Sequence, residues 1–427
     1  MRLISTLLFS YLFVQTLYSQ WVIKPGSPEE EGIFRFDDVF FSSEDHGSLI
    51  SPNGNIYTTW DGGQNWTLST RVNAYLRAVE YADAQHGLAS SLQGPMVRTK
   101  DGGRSWEDIT HTIPGDHKGM CGLHYVQGRY YGAGVFHSPA RLFRSFDLGS
   151  SWEVLDLDTI AFGLVDVHFM DSLRGFLLGT GPEDAFNPEV GSIWYTEDGG
   201  DNWRLVGSTN RSNTYIWKLF FVSQDTLYAS VENYLGNTPA YMYSFDAGQT
   251  WSYKEIPLGE IGFFDAQALG FINPQRGWLA GYGLGMYETN DGGNTWETIQ
   301  ETANINRFFK VGDLLLAAGL RLYQLDNSTN TFDELSTLTT NLPHKLIWRS
   351  SNPMHDVTAE WDLRLDAPSF VLMGIYDQQG RLVRRMDKQF RQAGIYSYSA
   401  NLPDLPRGIY FLSARTYDRH LYLQFVR

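Results

Sequence analysis

Residues 76–109 carry the pattern that organises most of the chain. Three short β-rich runs, Leu76 to Tyr81, Gly87 to Ser91 and Met96 to Thr99, precede a polar turn, and a fourth run, Trp106 to Ile109, follows it. Runs of this length bounded by turn residues predict a four-stranded antiparallel meander. The polar turn is a phrase, Thr/Ser-x-Asp-x-Gly-x-(Asn/Ser/Thr)-Trp. It is carried by Asp61 and Trp66, Asp101 and Trp106, Asp147 and Trp152, Asp198 and Trp203, Asp246 and Trp251, and Asp291 and Trp296. An eroded seventh copy reads through Leu325, Asn327, Thr329, Thr331 and Phe332. In such a turn the Asp carboxylate can accept local backbone N–H groups and the Gly can take positive φ. The Trp that follows is expected to lie between neighbouring sheets.

A second mark recurs before the second run of four units, in His46-Gly47, His86-Gly87, Arg174-Gly175 and Arg276-Gly277, where Gly suits a tight turn. Together the marks start units near Arg35, Tyr75, Met120, Phe162, Tyr215, Asp265 and Asn306. Counting the eroded copy, the phrase recurs every 36 to 51 residues, the spacing of a propeller array. The expected fold is therefore all-β, a seven-bladed β-propeller, with six or eight blades left open. Trp21-Val22-Ile23 resembles the run after each phrase and is expected to complete the last blade, in competition with Phe332 to Leu335.

From about Pro343 the phrase stops. Short alternating runs, Phe370 to Tyr376, Arg381 to Arg385, Gly394 to Ala400, Ile409 to Ala414 and Leu421 to Val426, predict a small Ig-like β-sandwich after the propeller.

The repeated phrase resembles the Asp-box (BNR) repeat of sialidases, sortilin-type receptors and related propellers. With Gly before the second strand and Asp-Gly-Gly-x-x-Trp after the third, it looks most like the photosystem-assembly Ycf48-like group. The resemblance implies a propeller over residues 20–342 but no single chemistry. In the tail, Asn352-Pro353, Ile375-Tyr376-Asp377-x-x-Gly380-Arg381-Leu382-Val383, Leu402-Pro403-x-Leu405-Pro406-x-Gly408-Ile409-Tyr410 and Phe425-Val426-Arg427 occur in order. They are similar to the C-terminal sorting domain of type IX secretion substrates. That resemblance implies that residues 343–427 engage the type IX machinery and deliver the protein outside the cell or onto the outer-membrane surface. The pattern departs at Ser350 and Ser351, where the family has an aromatic residue and Pro.

Met1-Arg2, the apolar run from Leu3 to Leu17 and Tyr18-Ser19-Gln20 read as a secretory signal over residues 1–19, too short and too polar for a span. The net charge of −15 without a basic cluster argues against nucleic acid. Cys121 is the single cysteine, so the chain has no internal disulfide, and a buried structural thiol is expected.

In a meander that begins at the ring axis, the phrase lies on the face opposite the first-strand starts. Ligands are therefore expected at the first-strand face, where blades 3 to 5 carry insertions at Val135 to Ala140, Gly179 to Ser192 and Glu232 to Ala240. The candidate ligand-binding residues there are Tyr75, Arg77, His137, Asp184, Asn187, Tyr215, Trp217, Tyr234 and Asp265, a mixture that suits a glycan or a polypeptide. The alternative is a sialidase-like glycoside hydrolase using a pair such as Asp184 and Asp265. Arg35, Arg77 and Arg307 begin neighbouring first strands in different registers, so a three-arginine grip is not required by the pattern. No nucleophile elbow, zinc helix, phosphate loop or Cys-x-x-Cys pair occurs. His111 with His117, and Glu183 with Asp184, are weak metal signals, and no cofactor or metal is expected.

Overall fold

A computed structural model describes residues 20–30, 35–92, 94–115, 117, 119–181, 189–233, 238–256, 264–283, 286–299, 304–326, 345–349, 358–365, 369–377, 382–402, 405–415 and 420–426. The strands Leu76–Tyr81, Gly87–Ser91 and Met96–Thr99 lie where the pattern puts them, and the fourth is shorter, Glu107–Asp108. Six sheets repeat this meander in chain order, with first strands Asp38–Phe41, Leu76–Tyr81, Gly122–Val126, Gly163–Phe169, Thr214–Phe221 and Phe264–Phe271. A seventh is built from Arg307–Val311, Leu314–Ala318, Leu322–Asp326 and, as its outer strand, Gln20–Ile23.

Each first strand packs beside the next, and Arg307–Val311 returns to Asp38–Phe41, so the sheets close a ring. Inner strands are then covered on both faces. Every residue of Leu76–Tyr81 and Gly87–Ser91 is buried, whereas the outer strand Thr67–Arg71 is largely open. The hydrophobic core is correspondingly divided into layers between adjacent sheets, such as the cluster of Phe36, Val39, Leu49, Leu316 and Leu322 between the seventh and first.

Closure uses the start of the chain. Gln20–Ile23 pairs antiparallel with Leu322–Asp326, Trp21 opposite Leu325. Trp21 is 5 % exposed and meets Trp278 edge-on at 5.2 Å and Phe308 at 5.4 Å. It fills the layer between the sixth and seventh sheets that a phrase Trp fills elsewhere. The competing segment, Phe332 to Leu335, lies outside the described residues.

The phrase is a self-contained turn. Asp61 Oδ1 accepts the Thr59 hydroxyl at 2.9 Å and the Asn65 N–H at 2.9 Å, while Gly63 donates its N–H to Thr59 Oγ1 at 2.8 Å. The same bonds recur around Asp101, Asp147, Asp198, Asp246 and Asp291. These bonds hold the carboxylates low, to about 2 at Asp61, Asp198 and Asp246, led by the N–H and side chain of residue i+4. Gly103 shows why Gly is needed: its φ is +79°, and a Cβ would stand 2.7 Å from Thr58 Oγ1 and from the Tyr81 hydroxyl.

The phrase Trp residues pack against the layers between sheets as expected, Trp152 buried and Trp66, Trp106, Trp203, Trp251 and Trp296 half-buried. One expectation about these marks is corrected. The Gly before the second strand does not serve turn geometry, since none of Gly47, Gly87, Gly175 and Gly277 has positive φ. Each pairs across the ladder with an aromatic residue, Phe41, Tyr81, Phe169 or Phe271, whose ring occupies the space of a Cβ.

The tail forms two further sheets, one of Lys345–Trp348, Thr358–Leu365 and Gly394–Asn401, the other of Leu382–Arg391, Ser369–Asp377, Ile409–Arg415 and His420–Val426. They share a core of Trp361, Leu363, Val371, Met373, Leu412 and Phe425. Two strands, Lys345–Trp348 and Thr358–Leu365, were not expected. The second alternates cleanly, with Ala359, Trp361, Leu363 and Leu365 inward, so its signal was present in the sequence.

Candidate functional site

Four of the seven first strands bulge near their starts. The ladder skips Arg77 between Leu76 and Ala78, Val165 between Leu164 and Asp166, Trp217 and Lys218 between Ile216 and Leu219, and Gln267 between Ala266 and Ala268. A bulge frees a residue from pairing and re-aims it. Backbone donors near these bulges are satisfied from the neighbouring sheet: Val79 N–H bonds Asp38 Oδ2 at 3.1 Å and Leu219 N–H bonds Asp166 Oδ2 at 3.2 Å. Tyr125 N–H likewise bonds Glu80 Oε1 at 3.2 Å.

Toward the first-strand face the axis is a closed polar network. The Arg35 guanidinium donates to Asp37 Oδ1 at 2.9 Å, Asn304 at 2.8 Å, Gln267 at 2.7 Å and Asn306 at 2.9 Å. Arg77 donates to the other Asp37 oxygen at 2.6 Å, and Asn306 donates to the Asp37 carbonyl at 2.6 Å. Burial alone would raise Asp37; Arg77 and Arg35 overcome it and hold its carboxyl below the ordinary value. Asp265 has less compensation: burial pushes it up to about 7, with Arg35 only partly opposing.

An aromatic collar surrounds this network. Tyr75, Tyr215 and Trp217 pack with Leu92, Cys121, Val135 and Val165. Arg77 lies over the Trp217 ring at 5.2 Å, and the Trp217 indole N–H donates to Glu232, which also accepts from Gln267 at 3.3 Å. Phe136 stands 5.9 Å from Trp217 and 5.4 Å from His137, linking the insertion of the third sheet to the collar. Burial pushes the Cys121 thiol up to about 11, which makes it inert.

The structure thus brings together Tyr75, Arg77, Tyr215 and Trp217, with His137 attached through Phe136 and Asp265 near Arg35. It corrects their expected setting. Tyr75, Arg77, Tyr215, Trp217 and Asp265 are all at most 8 % exposed; they form the floor of the first-strand face rather than loop tips, Arg77 and Trp217 lying in bulges and the others at or beside the starts of first strands. His137 is half-buried, its Nδ1 3.0 Å from the Ser138 carbonyl. Asp184, Asn187 and Tyr234 lie outside the described residues. Arg35 and Arg77 share Asp37, whereas Arg307 pairs with Asp38, 3.4 Å away, and Asp166, 4.0 Å away.

Sequence reasoning missed Asp37, Glu232, Gln267, Asn304 and Asn306. A signal existed, for unit starts repeat an i, i+2 pair: Arg35 and Asp37, Tyr75 and Arg77, Tyr215 and Trp217, Asp265 and Gln267, Asn304 and Asn306. Among the described residues no group of three or more His, Cys, Asp and Glu side chains could hold a metal, and no helix is long and apolar enough to cross a membrane.

No family model matches this chain, and no curated protein sequence matches it. Solved structures do. YCF48 bound to D1 peptide aligns with a TM-score of 0.53 at 20 % identity, over 73 % of this chain and 98 % of that one. YCF48 from Cyanidioschyzon merolae aligns at 0.52 and 17 % identity, over 71 % and 98 %. The fold is a β-propeller. A GH74 xyloglucanase from Xanthomonas campestris aligns at 0.50 and 15 % identity, over 95 % of this chain and 68 % of that one. At these identities the likeness speaks for the propeller alone and leaves its ligand to the chemistry of the axis.

Proposed function

We propose that this chain is a seven-bladed β-propeller that captures a polypeptide or glycan ligand at its first-strand face and acts as a binding or assembly scaffold. The observation that carries the reading is the collar: Tyr75, Tyr215, Trp217 and Phe136 gather with Arg77 at one mouth of the ring. A rigid, internally bonded floor beneath aromatic edges suits stacking and hydrogen bonding without reorganisation. YCF48, a propeller of the same architecture, is known bound to a peptide, which supports a polypeptide ligand. We further read residues 343–427 as an Ig-like sorting domain and residues 1–19 as a secretory signal, so that the protein is exported to the outer-membrane surface or released.

Peptide and glycan arrays probed with the full chain test the scaffold. Replacing Phe136 or His137 by Ala, or residues 182–188 by a short turn, is expected to lower capture at least tenfold while the unfolding temperature holds. Unchanged affinity in all three variants places the site elsewhere. Deleting residues from Asn352 onward is expected to leave the protein in the periplasm, and normal surface delivery of that truncation refutes the sorting reading.

A glycoside hydrolase is the second reading, favoured by the burial that raises the Asp265 carboxyl to about 7 and by the GH74 likeness. Turnover of an arrayed glycan that disappears in Asp265→Asn establishes it in place of the scaffold.

A further inference from the structure

Trp217 has its polar capacity spent inside the protein. Its single N–H donates to one oxygen of Glu232, and Arg77 covers the ring at 5.2 Å. The groups beneath it close a circuit. Arg77 and Arg35 both donate to Asp37, at 2.6 and 2.9 Å, Arg35 donates to the Gln267 carbonyl at 2.7 Å, and the Gln267 amide donates to the other Glu232 oxygen at 3.3 Å. The circuit joins sheets one, two, five and six, and each of its bonds is made within the chain.

The rim above this floor is apolar at Phe136, which is half-buried and stands 5.9 Å from Trp217. Tyr215 lies 6.2 Å from Trp217 on the same collar. The Phe136 backbone is held in place by the fourth sheet: the Val135 carbonyl accepts the Leu164 N–H at 3.2 Å, and a Cβ on Gly163 would stand 2.2 Å from the Phe136 carbonyl carbon. Charge selects no ion here. Arg77 already fills the cation position over Trp217, and the net charge of −15 opposes an anion.

We infer that the first-strand face takes a polypeptide through one apolar side chain, aromatic or aliphatic, seated against Phe136 and the Trp217 and Tyr215 edges. The inference rests on the scaffold reading and narrows its two ligand classes to one. A sugar pressed onto this floor gives up water around its hydroxyls and meets hydrogen-bonding groups that are committed to one another. An apolar side chain leaves water with no such loss, and the rest of the peptide keeps its own solvent at the rim. Glu232 and Gln267 are positioning residues, since together they fix the indole against which the side chain packs.

The test is an array probed with the full chain. Capped Gly-Ser nonapeptides carry Trp, Phe, Leu, Asn, Lys or Glu at the centre, beside printed oligosaccharides. The Trp, Phe and Leu guests are expected to be captured about tenfold more strongly than the Asn, Lys and Glu guests, and Phe136→Ala is expected to remove that preference. Glu232→Gln sets one amide N–H2 against another and is expected to weaken capture of the Trp guest about fivefold. Adding Gln267→Glu restores an acceptor for Arg35 and for the new amide, so the exchanged pair is expected to recover capture. If Glu232→Gln does not fold, the guest ranking and Phe136→Ala decide. Capture of oligosaccharides alone overturns the inference and leaves the scaffold reading standing, as does a preference for Lys or Glu. An apolar preference that survives Phe136→Ala overturns it by placing the contact elsewhere, and no capture of any spot removes the scaffold reading with it.

Discussion

The Phe169 ring occupies the space in which Gly175 would carry a side chain: a Cβ there would stand 2.6 Å from the ring. The two residues face each other across the ladder, and Trp203 meets Phe169 edge-on at 6.0 Å. Gly, aromatic ring and phrase Trp are therefore one packing unit, and it recurs as Gly87, Tyr81 and Trp106. Gly175→Ala is expected to destabilise the propeller by about 1–3 kcal/mol through overpacking, measured by urea unfolding. Combining it with Phe169→Leu is expected to cost less than the sum of the two. Additive costs would contradict the packing account.

Asp37 holds two guanidinium groups with no exposure of its own. Removing one partner of a buried ion pair leaves an uncompensated charge, so Arg77→Met is expected to cost about 3–5 kcal/mol. A loss below about 1 kcal/mol in chemical denaturation would show that the pair is solvated.

Acid should weaken the fold through the phrase carboxylates. Their folded values lie below the ordinary carboxyl range, to about 2 at Asp61, Asp198 and Asp246. Their stabilisation is complete above about pH 4 and is lost as pH falls toward 2. Far-ultraviolet dichroism at graded pH reads this directly, and Asp198→Asn should shrink the acid limb.

Asp265 acts with the opposite sign. Its folded value is raised to about 7, so the folded state binds more protons than the unfolded one between about pH 4 and pH 7. Stability is expected to decline across that window as pH rises and to level off above it. In Asp265→Asn the decline should be smaller, and an unaltered slope would remove Asp265 from the account.

Trp21 closes the ring from the opposite end of the described propeller. Trp21→Ala removes an indole packed on Trp278 and Phe308 and is expected to cost about 3–5 kcal/mol. The loss should appear in the cooperative transition of the whole ring. A selective loss confined to fraying of Gln20–Ile23 in hydrogen exchange would show that the seam opens independently.

Much of this was legible in the chain, for a physical reason. A turn such as Thr59 to Trp66 is satisfied by its own backbone and side chains, so its sequence suffices to announce it, and repetition sets the sheet order. Gln20–Ile23 was readable as an outer strand because Trp21 copies a phrase Trp. The site was less legible. Tyr75, Arg77, Tyr215, Trp217 and Asp265 were found, yet their burial was not, since it depends on how strand starts from different sheets crowd together once the ring closes and, at Arg77 and Trp217, on bulges that alter the alternation of a strand. Asp37, Gln267, Asn304 and Asn306 were missed although they follow the same i, i+2 rule.

The residues by themselves determined the repeat, the turn chemistry and the all-β meander, because those interactions close within a few positions. Tertiary structure alone decided that Arg35 would meet Asn306 across 271 positions, that burial would raise the Glu80 and Asp265 carboxyls, and that Lys218 and Arg307 would both stand beside Asp166. Each of these depends on how far charges at the starts of different sheets stand from one another once the ring closes. Local sequence carries no measure of that distance.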